Sequence, residues 1–153
     1  MKLTQHSDFG IRILTYLGLR PQSQSTVGEI AAAFDISHHH LTKVVQQLVG
    51  NGFVTSRRGK QGGLRLACSP REIRIGSVIR ALENDFHLVE CMRRERDCKI
   101  APACRFSDIV SEANGAFLAV LDGYTLDDML FGSARRRHLD RLLIADLRVS
   151  EAH

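Results

Sequence analysis

The sequence predicts a mainly α-helical protein: a winged helix-turn-helix with a small β-hairpin wing, followed by a long helix. Three observations predict it. Apolar residues recur at helical spacing between residues 11 and 49. A glycine-rich, cationic hairpin pattern follows in FVTSRRGKQGGLRLA. Beyond residue 105, apolar positions step by four and three, as along a coiled-coil seam.

Ile11, Leu14, Tyr16, Leu17 and Leu19 give the first helix a broad apolar face, which should stop near Arg20-Pro21. The polar stretch PQSQS then reads as a loop. Thr26 opens a second helix, with Glu29 at capping-box spacing. Val27, Ile30, Ala31 and Phe34 recur at the i, i+3, i+4, i+7 spacing of a buried face. Asp35-Ile36 makes a tight break, and Ser37 is the expected N-cap of a third helix, with Ile36 and Leu41 placed for a hydrophobic staple. Leu41, Val44, Val45, Leu48 and Val49 form its inner face, and Gly50-Asn51-Gly52 ends it. Strands at Phe53–Ser56 and Leu64–Ala67 then flank a loop holding Arg57, Arg58 and Lys60 among glycines.

Charge points to the partner of this half. The formal net charge of +4 divides into +7 over residues 1–80 and −3 over residues 81–153. Three cations with no acid at the hairpin tip are costly to hold together unless a polyanion neutralises them. The glycines let backbone approach a phosphate closely. The tip is not a P-loop, because the Gly-Lys-Ser/Thr ending is absent. Two short helices, a turn and a basic hairpin together read as a module for double-stranded DNA. Base contacts are expected from Ser37, His38, His39, Thr42 and Lys43; Arg57, Arg58 and Lys60 should grip phosphate or the minor groove. No dinucleotide fingerprint, nucleophile elbow or paired His/Glu metal motif argues for an enzyme. No run of 18 apolar residues suggests a membrane helix, and the N-terminus reads as an amphipathic helix rather than a signal peptide, so a cytoplasmic location is expected.

Cys91, Cys98 and Cys104 sit in one stretch, VECMRRERDCKIAPACRF. In an intracellular chain such thiols are more often metal or redox ligands than disulfide staples. Zinc held with His87 or an acid, and a metal-free thiol switch, are both open readings. Pro102 suits the first turn of the next helix and would put Cys104 near its N-terminus, while Arg93, Arg94, Arg96, Lys99 and Arg105 add positive potential that favours thiolates. His87 is expected in a loop or at a helix end. Cys68 stands apart and is expected to be a small buried hydrophobe. The seam runs through Phe106, Val110, Ala113, Phe117, Val120 and Tyr124. It faces either a core within the chain or a partner. Leu139, Leu142, Leu143 and Leu147 suggest a short amphipathic helix in the tail.

Several segments carry a family resemblance: KLTQHSDFGIRILTYL, ISHHHLTKVVQQLVGNGFVTSRRGKQGGLRL, IRIGSVIRALE, the three cysteines with PACR, and YTLDDML. Over roughly residues 1–131 the chain resembles the bacterial winged-helix iron–sulfur transcriptional regulators of the IscR/NsrR family. SDFGIRILTYL, HHLTKVVQQL, RRGKQGGLRL and APACRF resemble its nitric-oxide-sensing repressors most. The resemblance implies an iron–sulfur cluster, 4Fe–4S rather than 2Fe–2S, on Cys91, Cys98 and Cys104. No histidine follows Cys104 until His138, and the fourth ligand implied is Asp8 of the partner subunit. Read from its own position alone, Asp8 is an N-cap or first-turn acid of the first helix. The resemblance further implies a homodimer built on the long helix, a palindromic operator, and release of DNA when nitric oxide nitrosylates the cluster. Redox or cluster-status sensing through 2Fe–2S is the alternative. The expected division is a winged helix-turn-helix over 1–82, a cluster loop over 83–105, a dimerisation helix with a short following helix over 106–131, and a tail of unknown role over 132–153.

Overall fold

The computed structural model describes residues 2–59, 62–92, 98–100, 103–130 and 137–143. Its elements are α1 Gln5–Leu19, α2 Val27–Phe34, α3 His38–Gly50, β1 Val54–Arg57, β2 Gly63–Leu66, α4 Ile75–Leu82, a 3-10 turn Glu90–Met92, α5 Phe106–Asp122 and α6 Leu126–Leu130. Residues 137–143 are helical as well. No helix among the described residues is long and apolar enough to cross a membrane.

Local chemistry explains each start and stop. Thr4 caps α1 by accepting from the Ser7 N–H. The capping box forecast at α2 is present: the Glu29 N–H donates to Thr26 Oγ1 at 3.1 Å and the Thr26 N–H to Glu29 Oε2 at 2.5 Å. Asp35 ends α2 in the left-handed region at φ 51°, and the Ile36 N–H returns to the Ala31 carbonyl at 3.0 Å. That turn sets α3 against α2. Ser37 stands at the N-cap of α3 but makes no side-chain capping bond, so its hydroxyl is left facing outward on an exposed residue.

The core joins α1, α2, α3, α4 and α6. Ile13, Leu14, Ile30, Val44, Leu48, Val78 and Leu126 are completely enclosed in it. Burying such aliphatic side chains stabilises by about 1.5–3 kcal/mol each. The inner face of α3 is as expected except at Val49, which is 36% exposed because it lies at the edge of the apolar stripe. The wing is antiparallel, pairing Val54 with Leu66, Thr55 with Arg65, Ser56 with Leu64 and Arg57 with Gly63. Both strands lie within a residue of their expected limits. The buried members Val54 and Leu64 face the core, which leaves Thr55, Arg57 and Arg65 on the outer face. Cys68 departs from expectation: it is exposed, because the chain has already left the sheet and turns toward α4. Partial burial of its sulfur, with Glu72 nearby, still raises the thiol above its ordinary value.

A second junction fixes the far end of α5. Arg80 donates from Nη1 and Nη2 to the two carboxylate oxygens of Asp122, each at 2.6 Å. Arg74 Nη1 donates to the Asp122 carbonyl at 2.8 Å, the Ile75 N–H to the Tyr124 carbonyl at 2.9 Å, and the Leu126 N–H to the Ile73 carbonyl at 2.8 Å. Gly76 is required here, because a Cβ at that position would overlap the Asp122 carboxylate.

Candidate nucleic-acid interface and cysteine loop

The start of α3 presents a polar, exposed surface. Ser37, His38, His39 and Lys43 are exposed, and Thr42 is half-buried with its hydroxyl donating to the His38 carbonyl at 2.8 Å. His40 shares this exposure. It was not singled out as a contact, although its place beside His39, ring centroids 6.2 Å apart, makes it part of the same patch. The opposite side of α3 is held by Leu41, Val44, Val45 and Leu48, so the helix offers its polar residues from a rigid mount. Arg57 and Arg58 project from the end of β1, both exposed. Lys60 lies outside the described residues. The expected base-contacting residues Ser37, His38, His39, Thr42 and Lys43 all reach solvent.

The cysteine loop starts where α4 ends. Glu83, the C-cap of α4, accepts at Oε1 from the Thr4 N–H at 2.8 Å, the Thr4 hydroxyl at 3.0 Å and the Ser7 hydroxyl at 2.5 Å. Ser7 is completely buried. A carboxylate holding three donors at one oxygen is a strong local tie. It fixes the first turn of α1, which carries Asp8, to the first residue of the loop. Sequence reasoning missed Glu83, since its partners are 76 and 79 residues away.

Along the loop, Asp85 Oδ1 accepts from the His87 N–H at 3.0 Å, and His87 is exposed, as forecast for a loop residue. Cys91 falls in the 3-10 turn Glu90–Met92. Cys98 is exposed and Cys104 half-buried. Cys104 lies two residues before the first helical residue of α5, whose N-cap is Arg105. Arg93, Arg94, Arg96 and Pro102 lie outside the described residues. Among the described residues no group of three His, Cys, Asp or Glu side chains is close enough to hold a metal ion. Asp8 instead pairs with Arg12 of its own helix, Oδ2 to Nη2 at 2.8 Å, both side chains roughly half exposed. Beside Asp8 a groove of about 450 Å3, lined by Leu3, Gln5, Ile11 and Ile79 among others, opens to solvent.

The seam forecast for α5 is present as a helix but not as a core. Phe106, Val120 and Tyr124 are 54%, 61% and 55% exposed, and Ile109 is 58% exposed. Of α5, Asn114 is buried, its amide donating to the Phe86 carbonyl at 3.2 Å. In the tail, Leu143 is buried and Leu139 packs on the core, while Leu142 is exposed. Leu147 lies outside the described residues.

Comparison with known proteins agrees with this arrangement. The family model described as Rrf2, iron-dependent transcriptional regulator, matches residues 3–131. The HTH-type transcriptional regulator NsrR of Geobacillus kaustophilus is 43% identical over 141 residues, spanning 91% of this chain and 96% of the relative. Among solved structures, CymR, the global cysteine regulator of B. subtilis, superposes with a TM-score of 0.67 at 29% identity, covering 84% of this chain and 95% of that one. IscR of T. potens does so with a TM-score of 0.66 at 27% identity, covering 85% and 86%.

Proposed function

This chain belongs to the Rrf2 family of transcriptional regulators and is of the NsrR type, and we propose that it is a homodimeric repressor whose hold on DNA depends on an iron–sulfur cluster and is released by nitric oxide. It is a DNA-binding regulator rather than an enzyme. The observation that carries the proposal is the position of the thiols. They occupy the loop between α4 and α5, and the first residue of that loop, Glu83, grips the first turn of α1.

The donor set suits iron and sulfide. Thiolates are soft ligands, and three of them from one loop leave one place of a four-ligand set open. Cys91, Cys98 and Cys104 would hold the cluster, with Asp8 of the partner subunit as the fourth ligand and 4Fe–4S as the form. When bound, the cluster supplies iron that nitric oxide attacks.

The chain's own residues do the rest. Arg12 holds Asp8 on its own helix, so ligation across the dimer breaks that ion pair and loss of the cluster restores it. Exposed pairs of this kind are worth about 0–1 kcal/mol, so the switch of Asp8 is cheap. Glu83 carries a displacement of the loop into α1, and α1 packs on α3. The exposed face of α5 is the surface for the second subunit, which would set two α3 helices at about 34 Å, one turn of a palindromic operator. Ser37, His38, His39, Thr42 and Lys43 would read bases; Arg57, Arg58 and Lys60 would hold the backbone or minor groove. A DNA-binding regulator of this kind would act in the cytoplasm.

The test is anaerobic purification with iron and sulfide counts, followed by nitric oxide titration against the tightest duplex recovered by in vitro selection. A 4Fe–4S absorption spectrum that collapses together with DNA binding is expected. Unchanged DNA affinity after complete reaction of the cluster sinks the proposal; a 2Fe–2S spectrum favours redox or cluster-status sensing; a colourless zinc protein removes both.

A further inference from the structure

On the outer face of the wing, away from the cysteine loop, a cleft of about 360 Å3 lies between the sheet and the end of α1. Three arginines border it: Arg20 from the C-cap of α1, Arg57 from β1 and Arg65 from β2. Thr55, the register partner of Arg65, adds a hydroxyl. Leu17 and Leu66 supply apolar wall, and no acidic residue lines the cleft.

Arg20 is held there by its own helix. Its Cζ stands 3.8 Å from the centroid of the Tyr16 ring, and Nη1 donates to the Tyr16 carbonyl at 3.4 Å. The other amino group, Nη2, is enclosed and has no hydrogen-bond partner. Arg20 therefore brings a fixed positive charge to the cleft rather than a free fork. Arg57 and Arg65 lie on the same face of the wing sheet, so the pleat directs them together.

We propose that this cleft binds a phosphate ester. The forks of Arg57 and Arg65 and the Thr55 hydroxyl, beside the fixed charge of Arg20, offer more donors than the two oxygens of a carboxylate accept, and the planar fork matches phosphate geometry. The volume falls in the small-molecule range of about 300–1,000 Å3, which leaves room for the sugar beside the phosphate, against Leu17 and Leu66. Two sources carry this chemistry: the DNA backbone, since Arg57 adjoins the wing tip, and a free phosphorylated sugar or nucleotide. The site needs neither cluster nor nitric oxide, so it does not depend on that part of the reading above, although it shares Arg57 with the DNA contacts proposed there.

The test uses the full-length protein with arginine side chains labelled for NMR, titrated with inorganic phosphate and then with ribose 5-phosphate. Saturable shifts of the Arg20 and Arg65 Nε–H signals are expected, with the ester binding more tightly, and with affinity falling about ten-fold or more in Arg20→Gln and in Arg65→Gln. Arg65 is exposed, so Arg65→Gln keeps the fold and an unchanged unfolding midpoint verifies it. A second arm measures the salt dependence of binding to a short random-sequence duplex. If Arg65→Gln lowers the slope by about 0.9, the value of one phosphate contact, the DNA backbone is the source. If the slope is unchanged and ribose 5-phosphate binds alongside DNA, the source is a free ester. The proposal is overturned if neither phosphate gives a saturable shift and the slope is unchanged, or if the shifts survive both substitutions.

Discussion

The winged half and the α5 half solve the problem of apolar surface in opposite ways. From α1 to α4, the large aliphatic residues close on each other: Ile13, Leu14, Ile30, Leu41, Leu48 and Val78 are at most 1% exposed. Along α5, Phe106, Ile109 and Val120 stay more than half exposed, as does Tyr124 just beyond it. A row of exposed apolar residues on one helix marks an interaction surface rather than a core. The contrast teaches that the winged half closes its own core within one chain, whereas α5 leaves an apolar face open, the face the proposed dimer would cover. The two halves therefore respond to different perturbations.

The largest expected effect separates them outright. Ile109→Asp with Val120→Asp places charge on the exposed apolar face of α5. In sedimentation it should convert a dimer into a monomer at micromolar concentration, while helical content and the melting of the winged half stay within about 0.5 kcal/mol of wild type, as surface changes do. A double variant that remains dimeric would move the interface elsewhere. The converse substitution is Leu14→Ala, at a residue with no exposure. It should cost about 2–5 kcal/mol in chemical denaturation, lowering DNA binding through unfolding rather than through contacts.

Next in size, Thr26→Ala removes one arm of the capping box and should cost about 1 kcal/mol, with no change in oligomeric state. The smallest effect lies at the joint between the halves. Hydrogen bonding from Arg80, then its charge and that of Arg74, holds the Asp122 carboxyl below its ordinary value of 3.8. A depressed folded-state value means that the unfolded chain binds the proton more readily. The contribution is thus fully present above pH 3.8 and disappears as pH falls through the lower folded value. Asp122→Asn should flatten that part of the acid unfolding profile and leave the pH dependence near neutral pH unchanged, since Asp122 is ionised in both states there. An acid limb identical to wild type would show the pair to be silent.

The legible parts of the sequence were those set by short-range rules. The capping box at Thr26 and Glu29, the end of α1 at Arg20 and the wing strands follow from neighbours a few residues apart, and they appear within a residue of expectation. Cys68 did not, because burial depends on where the chain turns after β2, and residue type alone does not contain that turn. The exposure of Val49 has the same origin: spacing defines a stripe but not its width. The α3 surface and Arg57 and Arg58 could be named from polarity and charge. Glu83 and the Arg20–Arg65 cleft could not, since each joins segments more than forty residues apart by geometry that no local pattern records.

Asp122 sits at the heel of α5, where two guanidinium bonds, a carbonyl contact and the bare backbone of Gly76 meet. With no side chain on Gly76 to act as a spacer, the joint has no slack. The heel of α5 cannot slide without breaking the pair of bonds to Arg80. Any tilt imposed on α5 would therefore pass to α4, and the exposed shaft would act as a lever on the winged half.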